Sequence, residues 1–365
     1  MKRLLILTLL LVASCDNPPA QYPRRCMYHL SVLSGKDTTW VDEAAEAEVA
    51  VMQTSRLFHP YRQWIPQRIK AKSEDTKIIG YYPFLVTSLV WGWPDSTIYD
   101  AWPYIMDKYH VDRGFWAYTT EGDTLQIWPN TVMLNPLKRG NDLIRAQMAL
   151  LRDYTSKYPL DGLLLDYMMT GIYVSSGMRQ HVHGDIDLDG NGVIFSRDEA
   201  EREAFAQWQM RFCARLRYEF GQDFIIIANG DMPHKIPESR VHLNGIFYER
   251  YPQTLWGWSD RQSFEAAKDN TGLQAIGGKY YNILQCVDTE NYYTFISSLL
   301  TGALYAEGGG DGYFTGWDIK TQSGAAMSGL QGDSRAYIRT FTGGTALIVF
   351  DGDDAATYQF AEEDR

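Results

Sequence analysis

The sequence predicts an α/β fold: a TIM (β/α)8 barrel with a calcium-loop insertion after strand 4 and a C-terminal β-hairpin. Two observations lead to this prediction. Short apolar segments alternate with amphipathic helical ones along most of the 365 residues, which is typical of a parallel sheet covered by helices. Some of the apolar segments also end in an acid, as residues 163–165 do at Asp166. The alternative, an open doubly wound sheet, is weakened because no glycine-rich nucleotide-binding turn follows the first strand.

Eight strands are predicted in chain order. They cover residues 26–34, 77–84, 114–118, 161–166, 224–229, 245–249, 273–280 and 303–307. The fourth is the clearest, because its three leucines are apolar without alternation, as expected for a strand buried on both faces. Helical patterns lie between the strands, at residues 39–55, 61–72, 95–109, 141–158, 198–220, 259–269 and 291–300.

The segments outside the barrel are also marked by their composition. Residues 337–341 and 346–350 flank Thr342-Gly-Gly-Thr, a pattern that predicts a β-hairpin. We therefore divide the chain into a signal peptide (1–14), a tether (15–25), a barrel (26–330, with an insertion at 171–198) and a C-terminal β extension (331–365).

The N-terminus carries a targeting signal. Lys2 and Arg3 precede a short apolar run, and Val12-Ala-Ser-Cys15 follows it. This order is typical of a secretory signal, and a cysteine at this place resembles a bacterial lipobox. We expect a lipid-modified Cys15 and a location in the bacterial cell envelope, facing the periplasm or the exterior. The alternative is an ordinary signal peptide with an unmodified Cys15.

Charge and cysteine content narrow the class of partner. The formal net charge of -11 argues against nucleic acid, which requires a basic surface. Cys26, Cys213 and Cys286 match no zinc pattern. Aromatic residues make up 14% of the chain and can stack on sugar rings or pack the core. We expect a monomer that contacts a carbohydrate and, through its lipid, a membrane.

Two acids follow predicted strands and form a candidate catalytic pair. Asp166 ends the fourth strand and Glu249 the sixth, and the carboxyl ends of barrel strands carry the chemistry in this fold. Glycoside hydrolysis typically uses two such carboxyl groups. The alternatives are a loop-binding acid at Asp166 and an ion pair between Glu249 and Arg250. Glu307, on the eighth strand, is the reserve candidate.

Other polar and aromatic residues near strand ends could contact a sugar. They are Tyr82, Tyr118, Tyr167, Asn229, Asp231, Tyr248 and Glu307. Four tryptophans in predicted rim loops could form stacking platforms: Trp91, Trp93, Trp256 and Trp258. For each of these residues the alternative is packing in the core.

The insertion contains an EF-hand-type calcium loop. Its oxygen ligands would be Asp187, Asp189, Asn191, the carbonyl of Val193, and Asp198 as the closing residue. Oxygen ligands at this spacing, with a glycine at the sharp turn, are what calcium requires. We expect a structural Ca²⁺ that shapes one wall of the cleft. The alternative is an acidic surface turn.

The ordered motifs resemble those of the hypothetical glycosyl hydrolase family 15 group and the related endo-α-1,4-polygalactosaminidases. The motifs are Ile79-Gly-Tyr-Tyr82, Phe115-Trp-Ala-Tyr118, Asp161-Gly-Leu-Leu-Leu-Asp166-Tyr167, Ala228-Asn-Gly230, Phe247-Tyr-Glu249, Tyr305-Ala-Glu307 and Arg339-Thr-Phe-Thr-Gly-Gly. The resemblance implies that Asp166 is the nucleophile or charged stabiliser and that Glu249 is the acid/base. Met168 stands where family 18 chitinases need a glutamate, which argues against their mechanism.

These observations predict an exported, lipid-anchored glycoside hydrolase that cleaves a polysaccharide or oligosaccharide. We expect an ionised Asp166, and a Glu249 whose pKa is raised by burial. One alternative is a catalytically inactive barrel that binds glycans at the cell surface. A metal-dependent hydrolase is disfavoured, because the first strand has no His-x-His motif around His29.

Overall fold

A closed barrel of parallel strands forms the body of the protein. The structure is a computed structural model that describes residues 21–22, 24–29, 39–54, 64–88, 113–129, 131–174, 183–252, 258–286, 291–307, 324–325, 331–332, 335–341 and 344–362. Within these ranges, eight strands pair in chain order and the eighth closes on the first. The predicted TIM-barrel fold is therefore confirmed.

The barrel strands are short, and each is followed by a longer connection. They are β1 (Arg25–His29), β2 (Val49–Gln53), β3 (Lys77–Tyr82), β4 (Gly162–Leu165), β5 (Ile225–Asn229), β6 (Gly245–Tyr248), β7 (Ile283–Cys286) and β8 (Leu304–Glu307).

Helices lie between successive strands. They are α1 (Thr39–Glu46), α2 (Trp64–Lys72), α3 (Gly140–Thr155), α4 (Glu199–Phe220), α5 (Asp260–Lys268) and α6 (Asn291–Thr301). Asp198 caps α4 by accepting the backbone N–H of Glu201, and Ser259 forms a capping box with Gln262 at α5. None of the helices in the described ranges has the length and apolar content needed to cross a bilayer.

The strand count was predicted correctly, but three of the assignments are wrong. The helix predicted at 39–55 contains α1 and then β2, because an apolar run that follows a helix after two residues has no visible boundary. The strand predicted at 114–118 instead forms a 3-10 turn and isolated antiparallel bridges. The segment predicted at 273–280 contains a tight turn, with Gly277 and Gly278 at positive φ, and the true strand β7 follows it.

The C-terminal residues form an antiparallel sheet beside the barrel. Its strands are β9 (Gln331–Gly332), β10 (Ala336–Phe341), β11 (Gly344–Asp351) and β12 (Asp354–Glu362). The two segments of the predicted hairpin lie in β10 and β11, where Phe341 pairs with Gly344. Tyr337 packs on Phe264 of α5, so this sheet contacts the helical layer.

Side chains inside the barrel are apolar until the carboxyl ends of the strands. Tyr28, Val51, Leu164, Ile227 and Phe247 belong to one buried cluster that draws on all eight strands. Successive strand residues point to opposite faces. A residue two positions after an inward one therefore also points inward, which directs the residues at the strand ends into the barrel mouth.

Glycines set the close approach of two strand pairs. A Cβ atom at Gly162 would lie 2.1 Å from the carbonyl oxygen of Ile225, and one at Gly245 would lie 2.1 Å from that of Tyr281. Both glycines begin strands that end in a candidate acid. Their missing side chains allow the neighbouring backbone to pack against β4 and β6.

Candidate active site

The mouth of the barrel contains a pocket of about 250 Å³. Its polar lining includes Asp166, Asn229 and Glu249. Its aromatic lining consists of Tyr28, Tyr81, Trp128, Tyr167 and Tyr173. Converging polar groups on a largely apolar wall are typical of a small-molecule site.

Asp166 and Glu249 accept hydrogen bonds from the same amide. The Asn229 Nδ2 atom lies 2.8 Å from Asp166 Oδ1 and 3.1 Å from Glu249 Oε2. These two oxygens are therefore less than about 6 Å apart. Asn229 ends β5, the strand between the two that carry the acids, so the barrel places all three groups at one level of the mouth.

Asp166 is held by donors on both of its oxygens. The Tyr81 hydroxyl donates to Oδ2, and the backbone N–H of Tyr167 donates to Oδ1 at 2.9 Å. Burial, together with the nearby charge of Glu249, raises the pKa of Asp166 to about 6, although the hydrogen bonds from Tyr81, Asn229 and Tyr167 oppose this shift. The sequence predicts a raised pKa for Glu249, whereas the structure raises the pKa of Asp166.

This raised pKa predicts a pH-dependent stability. Below about pH 4 the carboxyl is protonated in both the folded and the unfolded chain. Between about pH 4 and pH 6 the unfolded chain has lost this proton while the folded chain still holds it, so rising pH disfavours folding. The cost at pH 7 is on the order of 3 kcal/mol. Asp166→Asn should remove this cost. The free energy of unfolding of the variant, measured by chemical denaturation, should therefore rise relative to that of the wild type between about pH 4 and pH 7. A stability difference that does not vary with pH would contradict this assignment.

Two tyrosines that the sequence does not single out face the acids. Tyr28 comes from β1 and Tyr81 from β3. Burial raises the pKa of both hydroxyls well above the usual value, and the charges of Asp166 and Glu249 act in the same direction. Both hydroxyls therefore stay protonated and available as donors. Tyr81 lies two residues after Ile79 and therefore points inward with it, but only the fold shows that Ile79 points inward.

The residue after each candidate acid has a left-handed backbone. Tyr167 has φ 74° and Arg250 has φ 61°, and they are the non-glycine residues with positive φ in the described chain. Such conformations are uncommon for bulky residues and cluster at functional sites. The chain turns sharply at both positions, directly after presenting an acid to the pocket.

One wall of the pocket is aromatic. Trp128 meets Tyr167 edge-on, with ring centroids 5.8 Å apart. The Tyr167 hydroxyl donates to the carbonyl oxygen of Tyr173 at 2.6 Å and accepts the backbone N–H of the same residue. The predicted site residue Tyr167 therefore holds the segment that carries Tyr173 against the pocket.

Three predicted contact residues lie elsewhere. Tyr82 is 1% exposed and stacks on Phe212 of α4, while Tyr248 donates its hydroxyl to Ala266 of α5 at 2.7 Å. Both face the helices, because each follows an inward residue by one position. Tyr118 lies in the connection after β3 and is not among the residues that line the pocket. For Tyr82 and Tyr248 the packing alternative describes their position.

The remaining candidate residues either make contacts that hold the fold together or fall outside the described residues. Asp231 accepts the backbone N–H of Thr170 at 2.7 Å and pairs with Lys235 at 2.7 Å, so it anchors the connection after Asp166. Glu307 ends β8, but its side chain is outside the described residues, as are Trp91, Trp93, Trp256 and Cys15. Trp258 packs edge-on to His234 at 4.7 Å.

The predicted calcium loop lies beside the N-terminus of α4. Asp187 accepts backbone N–H groups from Gly190 at 2.7 Å and Gly192 at 2.9 Å. Asn191 donates its side-chain amide to Asp189 at 3.2 Å and to Asp198 at 2.6 Å, and Val193 is exposed. The five predicted ligands thus share one compact turn.

No family model matches the chain, and no curated protein matches it either. Among solved structures, it is similar to a cycloisomaltooligosaccharide glucanotransferase from Paenibacillus sp. complexed with cycloisomaltoheptaose, at 14% identity and a TM-score of 0.40. The match covers 91% of this chain and 45% of that one, so the chain spans less than half of that protein's length. Fold and site together define the class: a TIM barrel with two acids joined by one amide at its mouth.

Proposed function

We propose that this protein is a glycoside hydrolase that acts on a polysaccharide or oligosaccharide. The single observation that carries the proposal is that Asp166 and Glu249 share the amide of Asn229 within one pocket. Two carboxyl groups across a barrel mouth are the machinery that most glycosidases use.

The spacing of the acids supports retention of configuration. The bonded oxygens of Asp166 and Glu249 are less than about 6 Å apart, close to the roughly 5–5.5 Å of retaining enzymes and below the roughly 6.5–9.5 Å of inverting ones. Asp166 would attack the anomeric carbon while Glu249 gives its proton to the departing glycosidic oxygen. Glu249 would then take a proton from water, whose oxygen displaces Asp166 from the sugar.

The hydrogen bonds around Asp166 favour it as the nucleophile. Donors from Tyr81, Asn229 and Tyr167 orient both of its oxygens and favour the charged form. With a pKa of about 6, the carboxyl is mostly ionised at neutral pH. Trp128 offers an aromatic surface on the adjacent wall for the apolar face of a sugar ring.

A hydrolysis screen tests the proposal. The purified protein should release reducing ends from one class of glycan, and the first anomer formed, observed by NMR, should keep the configuration of the substrate. Polymers of α-1,4-linked galactosamine belong in the screen because of the motif resemblance. Glycan binding without turnover across the screen would instead favour an inactive binding barrel.

We also propose export and lipid anchoring, which rest on the sequence alone. The Val12-Ala-Ser-Cys15 motif predicts that Cys15 carries the lipid. Cys15→Ser should move the protein from the membrane fraction to the soluble fraction, and the wild-type N-terminal peptide should carry a diacylglyceryl mass. Gln21→Asn, a conservative change outside the motif, serves as the control and should leave fractionation unchanged. Ser14→Ala is not a suitable control because it alters the processing site. Membrane association of Cys15→Ser equal to wild type would refute the anchor.

A further inference from the structure

Three carboxylates from two elements converge beside α4. One oxygen each from Asp187, Asp189 and Glu201 lie within 4.8 Å of one another. The first two come from the loop before α4, and Glu201 comes from the first turn of the helix. Like charges this close repel one another unless a cation or a proton lies between them.

Glu201 supplies a second, independent observation. Its side chain is 2% exposed, and its Oε2 atom is buried without a hydrogen-bond partner among the described residues. Its Oε1 atom is satisfied, because it accepts the backbone N–H of Asp189 at 2.9 Å and also that of Leu188. A buried carboxylate oxygen without a donor is costly, and the neighbouring acids provide no donor for it.

Asp198, the closing ligand predicted from the sequence, is engaged elsewhere. Its Oδ1 atom accepts the backbone N–H of Glu201 at 2.9 Å, and its Oδ2 atom accepts the Asn191 amide at 2.6 Å. Both oxygens therefore have donors, and the residue acts as the N-cap of α4.

We propose that Asp187, Asp189 and Glu201 bind a calcium ion, with Glu201 in the closing position that the sequence pattern gives to Asp198. Carboxylate oxygens as the only side-chain donors suit a hard divalent cation, and backbone carbonyls and water complete such sites. This site does not depend on the proposed glycosidase activity.

The calcium loop is joined to the segment that forms the aromatic wall. Asn135 donates its side-chain amide to the carbonyl oxygen of Leu188 at 2.7 Å, and the backbone N–H of Thr120 donates to Asp185 at 2.8 Å. Trp128 lies between these two attachment points in the chain. A cation that fixes the loop to α4 would therefore also fix the support of Trp128.

Two isosteric variants of the full chain distinguish Glu201 from Asp198. Calcium should raise the melting temperature of the wild type relative to chelator, and calorimetric titration with calcium chloride should give a Kd on the order of 10⁻³ M or tighter. Asp198→Asn should keep this affinity within about threefold, because asparagine also caps helices. Glu201→Gln should weaken it at least about tenfold.

The result for Asp198→Asn decides the assignment even if Glu201→Gln does not fold. Loss of calcium binding in Asp198→Asn would overturn the proposal and restore Asp198 as the closing ligand. A wild type with no calcium response, or a Glu201→Gln variant that binds calcium as the wild type does, would overturn it as well.

Discussion

Asp166→Asn is expected to lower the rate of glycoside hydrolysis by about 10³-fold or more, the scale seen when a catalytic nucleophile is removed. Asparagine keeps the shape of the side chain but cannot form the covalent bond to the sugar. Its amide oxygen can still accept from Tyr81 or Asn229, so the fold should persist. The measurement is kcat on the substrate that the screen identifies, with circular dichroism to verify folding.

Asp223→Asn is the matched control for this prediction. Asp223 is exposed and lies before β5, away from the carboxyl ends of the strands. The same chemical change there should leave kcat unchanged. If Asp166→Asn retains activity within about tenfold of wild type, Asp166 is not the nucleophile, and Glu307 becomes the next acid to test.

Gly162→Ala is expected to destabilise the fold by about 3 kcal/mol, at the upper end of the usual cost of overpacking. The added Cβ would lie 2.1 Å from the oxygen of Ile225 and 2.7 Å from its Cβ. Backbone cannot rotate away as a flexible side chain can, and β4 is paired on both sides, to Ile79 on β3 and to Ile225 on β5. Urea denaturation followed by circular dichroism measures the loss.

Gly171→Ala provides the comparison. A Cβ there would meet nothing within 4 Å, so the same substitution should change the free energy of unfolding by less than about 0.5 kcal/mol. Equal stabilities for the two variants would show that β4 and β5 can separate without cost, contrary to the close packing described above.

The sequence revealed the two acids because each ends an apolar run that is too short to be a helix. It did not reveal which of two adjacent tyrosines faces the pocket. Residues 78–82 are apolar or aromatic on both faces, so alternation does not show which side of that run points inward. The structure places Tyr81 in the pocket and Tyr82 against Phe212. Asp166 points inward because it lies two residues after Leu164, but only the fold shows that Leu164 lies inside the barrel.

The relation among Asp166, Asn229 and Glu249 could not be derived from the sequence either. Their distances follow from the register of three strands that lie up to 83 residues apart along the chain. Parallel strands are joined by long crossover connections, so the sequence does not show which of their residues lie side by side. Glu201 was missed for another reason. It lies three residues beyond the twelve-residue calcium pattern, and only the first turn of α4 brings it back to the loop.

The left-handed backbone at Tyr167 and Arg250 limits how far the heat resistance of this protein could be raised. Glycine, which has no Cβ atom, would relax the backbone at both positions. At Tyr167, however, the same change removes the hydroxyl that holds Tyr173. At either position it would also give the chain more freedom directly after an acid. Heat resistance and the shape of the mouth are therefore coupled at these two residues, and directed evolution would have to seek added stability elsewhere in the chain.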